Sequence, residues 1–356
     1  MAEAAARRLP GAADVSAMRT EALEAPACVA RQLAADEDLV AAAAAHLRHP
    51  DGGIVTLARG SSDHAAQHFA YLSMQRGRRL VTSLPPSLLT LHGTRFDGPP
   101  LRALAWSQSG RSPDLVDSVK ALRAAGAWTL ALVNEPDSPL AAAAESTLAL
   151  HATPERSVAA TKSFIAQLVL GVRLLAASHG DAALRAALPT LPETLAEAAV
   201  LDWSPAVDAW QPVQQLYVVG RGAALAVAQE LALKLKETCG IQAEAWSGAE
   251  LMHGPLALVG TGWPVLVLAP RGPAQASLVA LAQQLHQRQA AVLLAVASGT
   301  PGCEGLACLP LHSARHAAFD AISVVQSFYL MVEALARARG RDPDRPPGLA
   351  KVTLTR

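Results

Sequence analysis

The chain has 356 residues, of which 51% are hydrophobic, 17% charged and 4% aromatic, with a mean hydropathy of +0.23. Thirty Lys and Arg balance thirty Asp and Glu, so no basic excess draws the chain to nucleic acid or an anionic membrane, and the apolar content excludes intrinsic disorder. That length accommodates two domains, each able to bury a core.

Four cysteines (Cys28, Cys239, Cys303, Cys308) are too few for a disulfide framework, and no second Cys or His pair stands at zinc-site spacing from Cys303 and Cys308. No metal or nucleotide cofactor is expected. Arg7 and Arg8 are followed by no apolar signal-peptide run, and no stretch of 18 apolar residues is free of charge, Gly or Pro. The expected compartment is the cytoplasm.

Residues 1–50 are Ala-rich and read as a helical extension, helical around 29–47, expected to pack over the neighbouring domain. Residues 53–58 (GIVTLA), 103–107 (ALAWS) and 129–133 (TLALV) are short, continuously apolar runs bounded by Gly, Ser or Asn, the pattern of buried parallel strands. Between the last two, residues 113–125 place Leu115, Val116, Val119 and Leu122 at helical spacing, giving a βαβ unit. The second half repeats this pattern. Residues 216–220 (LYVVG), 264–269 (PVLVLA) and 291–295 (AVLLA) are strands, with a helix over 274–287. Setting Arg59-Gly60 over Arg221-Gly222, an offset of 162, also superimposes Ser107 on Ala269 and 129–133 on 291–295. The reading is a duplicated α/β protein, each half an open parallel sheet with helices on both faces. The divisions are 1–50, 51–195, 196–340 and a tail at 341–356, with the boundary in the Pro/Asp/Trp-containing stretch 188–211.

Ligands of open α/β sheets bind at the carboxyl ends of the strands. There the first half has Ser107-Gln108-Ser109-Gly110 and the second Ala269-Pro270-Arg271-Gly272. The first turn leads into a helix with Pro113 in its first turn and Ser112 as N-cap, and a helix start offers free N–H groups to an anion. Gly60-Ser61-Ser62 adds a second hydroxyl-rich turn at the same sheet edge. Neither turn matches a dinucleotide or P-loop fingerprint, so a neutral cradle for the phosphate of a small polyol is expected.

In the second half, residues 228–237 (AQELALKLKE) bury Ala228, Leu231, Ala232 and Leu235 on one face and carry Glu230, Lys234 and Glu237 at i, i+4 and i+7 on another. By spacing alone, Glu230 and Lys234 equally suit an exposed i,i+4 ion pair. His253 follows the predicted strand 242–246 in a polar loop, where function collects. A carboxylate, an imidazole and an ammonium fit enolisation next to a carbonyl. The tail adds Lys351 after a proline-rich turn.

Six short motifs then occur in order: Gly60-Ser61-Ser62, Ser107–Gly110 (SQSG), Val158–Lys162 (VAATK), Ala232–Glu237 (ALKLKE), His253–Leu258 (HGPLAL) and Leu349-Ala350-Lys351. Together they resemble the sugar isomerase (SIS) phosphosugar-binding proteins, above all the tandem-SIS isomerase half of glutamine–fructose-6-phosphate aminotransferase and its deaminase relatives, over residues 50–352. The resemblance implies that Ser62, Ser107, Gln108, Ser109 and Ser112 hold the sugar phosphate, with Ser61, Val158 and Ala350 also lining the substrate pocket. It implies that Glu237 moves the proton between C1 and C2 with Lys234 close by, and that Lys351 sits near the sugar's carbonyl end. His253 would assist ring opening, reaching into the site of a neighbouring subunit in a homodimer with shared active sites.

Only about fifty residues precede the sugar-binding region, so glutamine-dependent synthesis is not expected of this chain alone. In the first cradle the family's usual Glu-Thr is Arg111-Ser112. The runs Arg59–His64 (RGSSDH) and Leu84–Ser87 (LPPS) and the ending Lys-Val-Thr-Leu-Thr resemble most the stand-alone glucosamine-6-phosphate deaminases of the family. The expected reaction converts glucosamine 6-phosphate to fructose 6-phosphate and ammonia. The alternatives are an aminotransferase-type isomerase, an enzyme acting on fructosamine 6-phosphate or galactosamine 6-phosphate, and a non-catalytic sensory module that only binds a phosphosugar.

Overall fold

The computed structural model describes residues 15–98 and 100–353. Arg7, Arg8 and the final Leu-Thr of the Lys-Val-Thr-Leu-Thr ending lie outside them. The described chain opens with helices α1 (Ala17–Leu23), α2 (Ala25–Ala34) and α3 (Glu37–Arg48). The single helical stretch expected around 29–47 is therefore broken. Asp36, at a φ of 57°, turns the chain between α2 and α3.

The first sheet is built from β1 (Ile54–Leu57), α4 (Ser61–Gly77), β2 (Val81–Ser83), α5 (Pro86–Thr90), β3 (Arg102–Ser107), α6 (Pro113–Ala124), β4 (Trp128–Val133), α7 (Pro139–Ala143) and β5 (Ser146–Ala149). Helices α8 (Lys162–His179), α9 (Ala182–Ala187), α10 (Leu191–Ala199) and α11 (Ser204–Trp210) connect it to the second sheet. The stretch 188–211, expected to be a boundary, is thus mostly helical, with Trp203 and Trp210 buried. The second sheet comprises β6 (Gln215–Gly220), α12 (Ala223–Lys234), β7 (Gln242–Ser247), β8 (Pro264–Ala269), α13 (Gln275–Gln287), β9 (Ala291–Val296) and β10 (Ala307–Pro310), and α14 (Asp320–Ala338) follows it.

Both sheets are wholly parallel, ordered β2-β1-β3-β4-β5 and β7-β6-β8-β9-β10. These orders are one topology used twice, as the 162-residue offset anticipates. Strands β2, β5 and β10 were not read from the sequence. Each has only three or four residues and stands at or beside a sheet edge, with too little apolar pattern to recognise.

Alternation along the strands decides the layering. In β3, Leu104 and Trp106 face the central core while Ala103 and Ala105 face the outer helices. In β6, Leu216 and Val218 face that same central core, and Tyr217 and Val219 face away. Helices α4, α8, α12 and α14 pack together as the layer between the sheets. Gly171 in α8 allows close approach, because a Cβ there would stand 3.1 Å from the Trp106 ring. Helix α14 is long and apolar enough by composition to cross a membrane, although charged residues interrupt its apolar run, but most of its surface is buried inside the molecule.

Candidate active site

Two turns leave adjacent strands of the first sheet at the same edge. After β1, Gly60 takes φ 54° and ψ −133°, a conformation that favours glycine, and delivers Ser61 and Ser62 to the first turn of α4. After β3, Ser107 is buried and its Oγ accepts a hydrogen bond from Gly110 N at 3.0 Å. Gly110, at φ 61°, has no room for a Cβ beside the Ser138 side chain. The two turns are tied together by Arg59, which donates to buried Asp114 through Nε at 2.9 Å and Nη2 at 2.8 Å. Gln108 and Ser109, in the second of these turns, are half-buried, and Ser109 Oγ accepts a long contact from Arg111 N at 3.4 Å. Ser112 occupies the expected N-cap position of α6, but its hydroxyl makes no capping hydrogen bond. That leaves the hydroxyl available to a ligand.

The second half reaches this edge through α12. Glu230 and Lys234, which by spacing could have formed an exposed pair, are both buried with oxygen and nitrogen 3.4 Å apart. Glu230 also accepts from the Tyr329 hydroxyl at 2.9 Å and lies 3.1 Å from His64 Nδ1. Lys234 donates to Glu237 at 2.6 Å and to Ser61 Oγ at 3.0 Å. Hydrogen bonds therefore run from the α4 start, through Lys234, to a carboxylate 173 residues or more along the chain. Beyond Lys234 the helix widens into a π turn, Leu235–Cys239, a distortion that often marks functional sites. Of the two carboxylates Glu230 is fully buried and Glu237 is 21% exposed. Glu237 is the one a substrate can reach.

The charges support one another. Burial disfavours the Lys234 ammonium, but Glu230 and Glu237 outweigh it and raise its pKa. Burial likewise opposes ionisation of Glu230, yet Lys234, His64 and the Tyr329 hydroxyl together lower its pKa. Tyr329 is pushed well above the usual phenol range, first by burial and then by the charge of Glu230.

The tail is fixed beside this group. Lys351 Nζ donates to Glu155 at 2.8 Å, and Glu155, fully buried, also accepts from Thr161 N, Ser163 N and Ser163 Oγ. Tyr329 senses the charges of Glu155 and Glu237 as well as Glu230, which places Lys351 and its partner in the same neighbourhood. Val158, half-buried, bonds through its N–H to Asp344 O in the tail, while Ala350 is exposed. Lys351 is thus engaged by Glu155, and no hydrogen bond joins it to Lys234 or Glu237. His253 is exposed in the single turn Glu250–His253, and among the described residues no hydrogen bond or ion pair links it to the Glu230 group.

His64, Tyr329, Glu155 and Gln167 were not singled out as site residues in the sequence. His64 lies in the quoted RGSSDH run, which gave a signal. Tyr329 sits 99 residues from Glu230 in an apolar helix, and Gln167, which donates to Ser62 Oγ at 2.9 Å, sits inside buried α8. Neither has a local pattern to announce it.

The SIS domain family matches residues 46–177 and again 211–338. Glutamine–fructose-6-phosphate aminotransferase [isomerizing] of Aeropyrum pernix is 32% identical over 332 residues, covering 88% of this chain and 53% of that protein. The chain therefore spans about half the length of such curated relatives. A crystal structure from Silicibacter pomeroyi DSS-3, provisionally described as a phosphosugar isomerase, is 41% identical with a TM-score of 0.86, covering 93% of this chain and 100% of that one. Glucosamine-6-phosphate deaminase of Thermotoga maritima shares the fold at 21% identity and a TM-score of 0.78, covering 96% and 100% of the two chains. With two matched domains on two sheets of one topology, the chain belongs to the SIS domain family.

Proposed function

We propose that the protein is an amino-sugar-phosphate isomerase and deaminase that converts glucosamine 6-phosphate to fructose 6-phosphate and ammonia. The observation that carries this reading is the reachable Glu237 carboxylate, held at 2.6 Å by a buried lysine that also bonds Ser61 at the cradle. The phosphate sits among Ser62, Ser107, Gln108, Ser109 and Ser112, where hydroxyls and backbone N–H groups hold it. With the sugar open, Glu237 takes the proton from C2 and returns it to C1. The C1 aldehyde becomes an alcohol and the C2 amine an imine. Water adds to the imine, C2 becomes a ketone and ammonia leaves. His253 of a neighbouring protomer assists ring opening, so the working unit is a homodimer with shared sites, and Lys351 lies at the carbonyl end.

The non-catalytic reading finds no use for a buried Glu230–Lys234–Tyr329–His64 group, whose desolvation is costly and whose open end is an acid beside the cradle. A panel of glucosamine 6-phosphate, galactosamine 6-phosphate and fructosamine 6-phosphate, followed by ammonia release, tests the assignment. Turnover of glucosamine 6-phosphate with fructose 6-phosphate as co-product is expected. Turnover of another amino-sugar phosphate alone reassigns the substrate, and turnover of none returns the chain to the sensory reading. Full activity in a sedimenting monomer overturns the shared site.

A further inference from the structure

The duplication generates a second strand-end cleft. In the second half, the turns after β6 and β8 and the start of α12 enclose a cleft of about 460 Å³ with the far end of α4. It mirrors the first site: there the start of α4 meets the far face of α12, and here the start of α12 meets the far face of α4. Gly222 repeats the Gly60 conformation, with φ 67° and ψ −137°. At the 162-residue offset, Ser61 and Ser62 become Ala223 and Ala224, Ser109 becomes Arg271, and Lys234 and Glu237 correspond to Leu72 and Gln75, which line the cleft. The hydroxyls and the acid–base pair are gone, and arginines stand in the cavity.

Three guanidinium groups line it against two nearby carboxylates. Arg76 pairs with Asp181 at 2.6 Å, and Arg271 is clamped by buried Asp320 at 2.7 and 2.8 Å. Arg221 is different. Its counterpart Arg59 is held by Asp114, but the residue corresponding to Asp114 is Ala276. Arg221 is accordingly exposed at the cleft, and no carboxylate pairs with it among the described residues. A guanidinium with no acid partner among the described residues, a second one fixed by a buried acid and a cavity large enough for a small phosphorylated molecule form an anion site that lacks the lysine and glutamate of the first.

We propose that this cleft is a second ligand site, which binds a phosphate monoester through Arg221 and does not turn it over. Titration calorimetry with glucose 6-phosphate at fixed ionic strength tests it. Two equivalents per chain are expected. Arg221→Ala should weaken one of them at least tenfold and leave ammonia release from saturating glucosamine 6-phosphate unchanged, and a Ser107→Ala/Ser109→Ala variant should weaken the other. One equivalent per chain that Arg221→Ala does not affect, or two of which neither responds to it, overturns the proposal. If a single equivalent is lost in Arg221→Ala but survives the serine changes, the second cleft stands and the reading of the first site fails.

Discussion

Helices α4 and α12 occupy the same place in the two halves but carry different polar groups. Helix α4 keeps the hydroxyls at its start, Ser61 and Ser62, and has His68, Leu72 and Gln75 where α12 and its π turn have Glu230, Lys234 and Glu237. Helix α12 has Ala223 and Ala224 at its start and keeps the charged residues. His68 is fully buried, its Nε2 has no hydrogen-bond partner, and burial lowers its pKa to about 4. Glu230, at the equivalent position, has three partners and a lowered pKa. The same position thus holds a neutral ring in one half and a compensated charge in the other. The lesson is that a duplicated fold can assemble one site from both copies, each supplying what the other lacks.

The largest expected effect comes from making the copies alike. Glu237→Gln gives α12 the residue that α4 has at Gln75. It should lower kcat by roughly 10²–10⁴-fold, the usual range for losing a general acid–base group, with phosphosugar affinity within about threefold. Unchanged deamination kinetics would remove Glu237 from the mechanism.

Lys351 comes next, because it ties the tail to the first half through Glu155. Lys351→Met leaves Glu155 buried without its cation and should cost about 3 kcal/mol in denaturant unfolding. The pKa of Glu155 is lowered in the folded protein: burial raises it, but Lys351 and the Ser163 and Thr161 hydrogen bonds lower it further. Its stabilisation is therefore complete above the ordinary glutamate pKa of about 4.5 and is lost as pH falls through the lower folded value. Without Lys351, acid unfolding should begin at higher pH. An unmoved acid midpoint would show that the ion pair does not stabilise the tail.

Glycine substitutions sharpen the comparison at the strand ends. Gly110→Ala meets the Ser138 side chain and a φ of 61°, and should cost about 2–3 kcal/mol. Gly272→Ala, at φ 142° with no atom within 4 Å of the new Cβ, carries only the backbone penalty, about 1 kcal/mol. Equal melting shifts would mean that the two turns are not constrained differently. The smallest effect is expected for Ser109→Ala, which removes one hydroxyl from the proposed phosphate cradle. KM should rise about tenfold, in line with one hydrogen bond to a charged group, while kcat stays within twofold. A fall in kcat with constant KM would place Ser109 at the reacting carbons.

Much of the fold was legible because parallel strands buried on both faces leave short apolar runs, and duplication repeats their spacing. Strands β1, β3, β4, β6, β8 and β9 all lie where such runs stand. The six-residue edge strand β7 also lies where the sequence reads a strand, but β2, β5 and β10 were not legible, since three or four residues leave no period. The helix break at Asp36 was also hidden, because alanine favours helix on both sides and one left-handed residue overrides it. In the candidate site, Ser61, Lys234 and Glu237 are legible in the sequence, and the structure places them within one chain of hydrogen bonds. His253 and Lys351 are legible too, but one stands apart in solvent and the other is held by Glu155.

The sequence by itself determined the duplicated parallel architecture and the residue types available at each strand end, since both follow from local pattern and from glycine or serine at fixed positions. Only the tertiary structure decided that Glu230 is a buried hub rather than an exposed partner, that Tyr329 and His64 complete its hydrogen bonds, and that Arg221 stands without an acid among the described residues. Those outcomes depend on which faces of α4, α12 and α14 meet, and the burial and neighbouring charges that fix an ionisable group's behaviour come from residues 99 to 173 positions away.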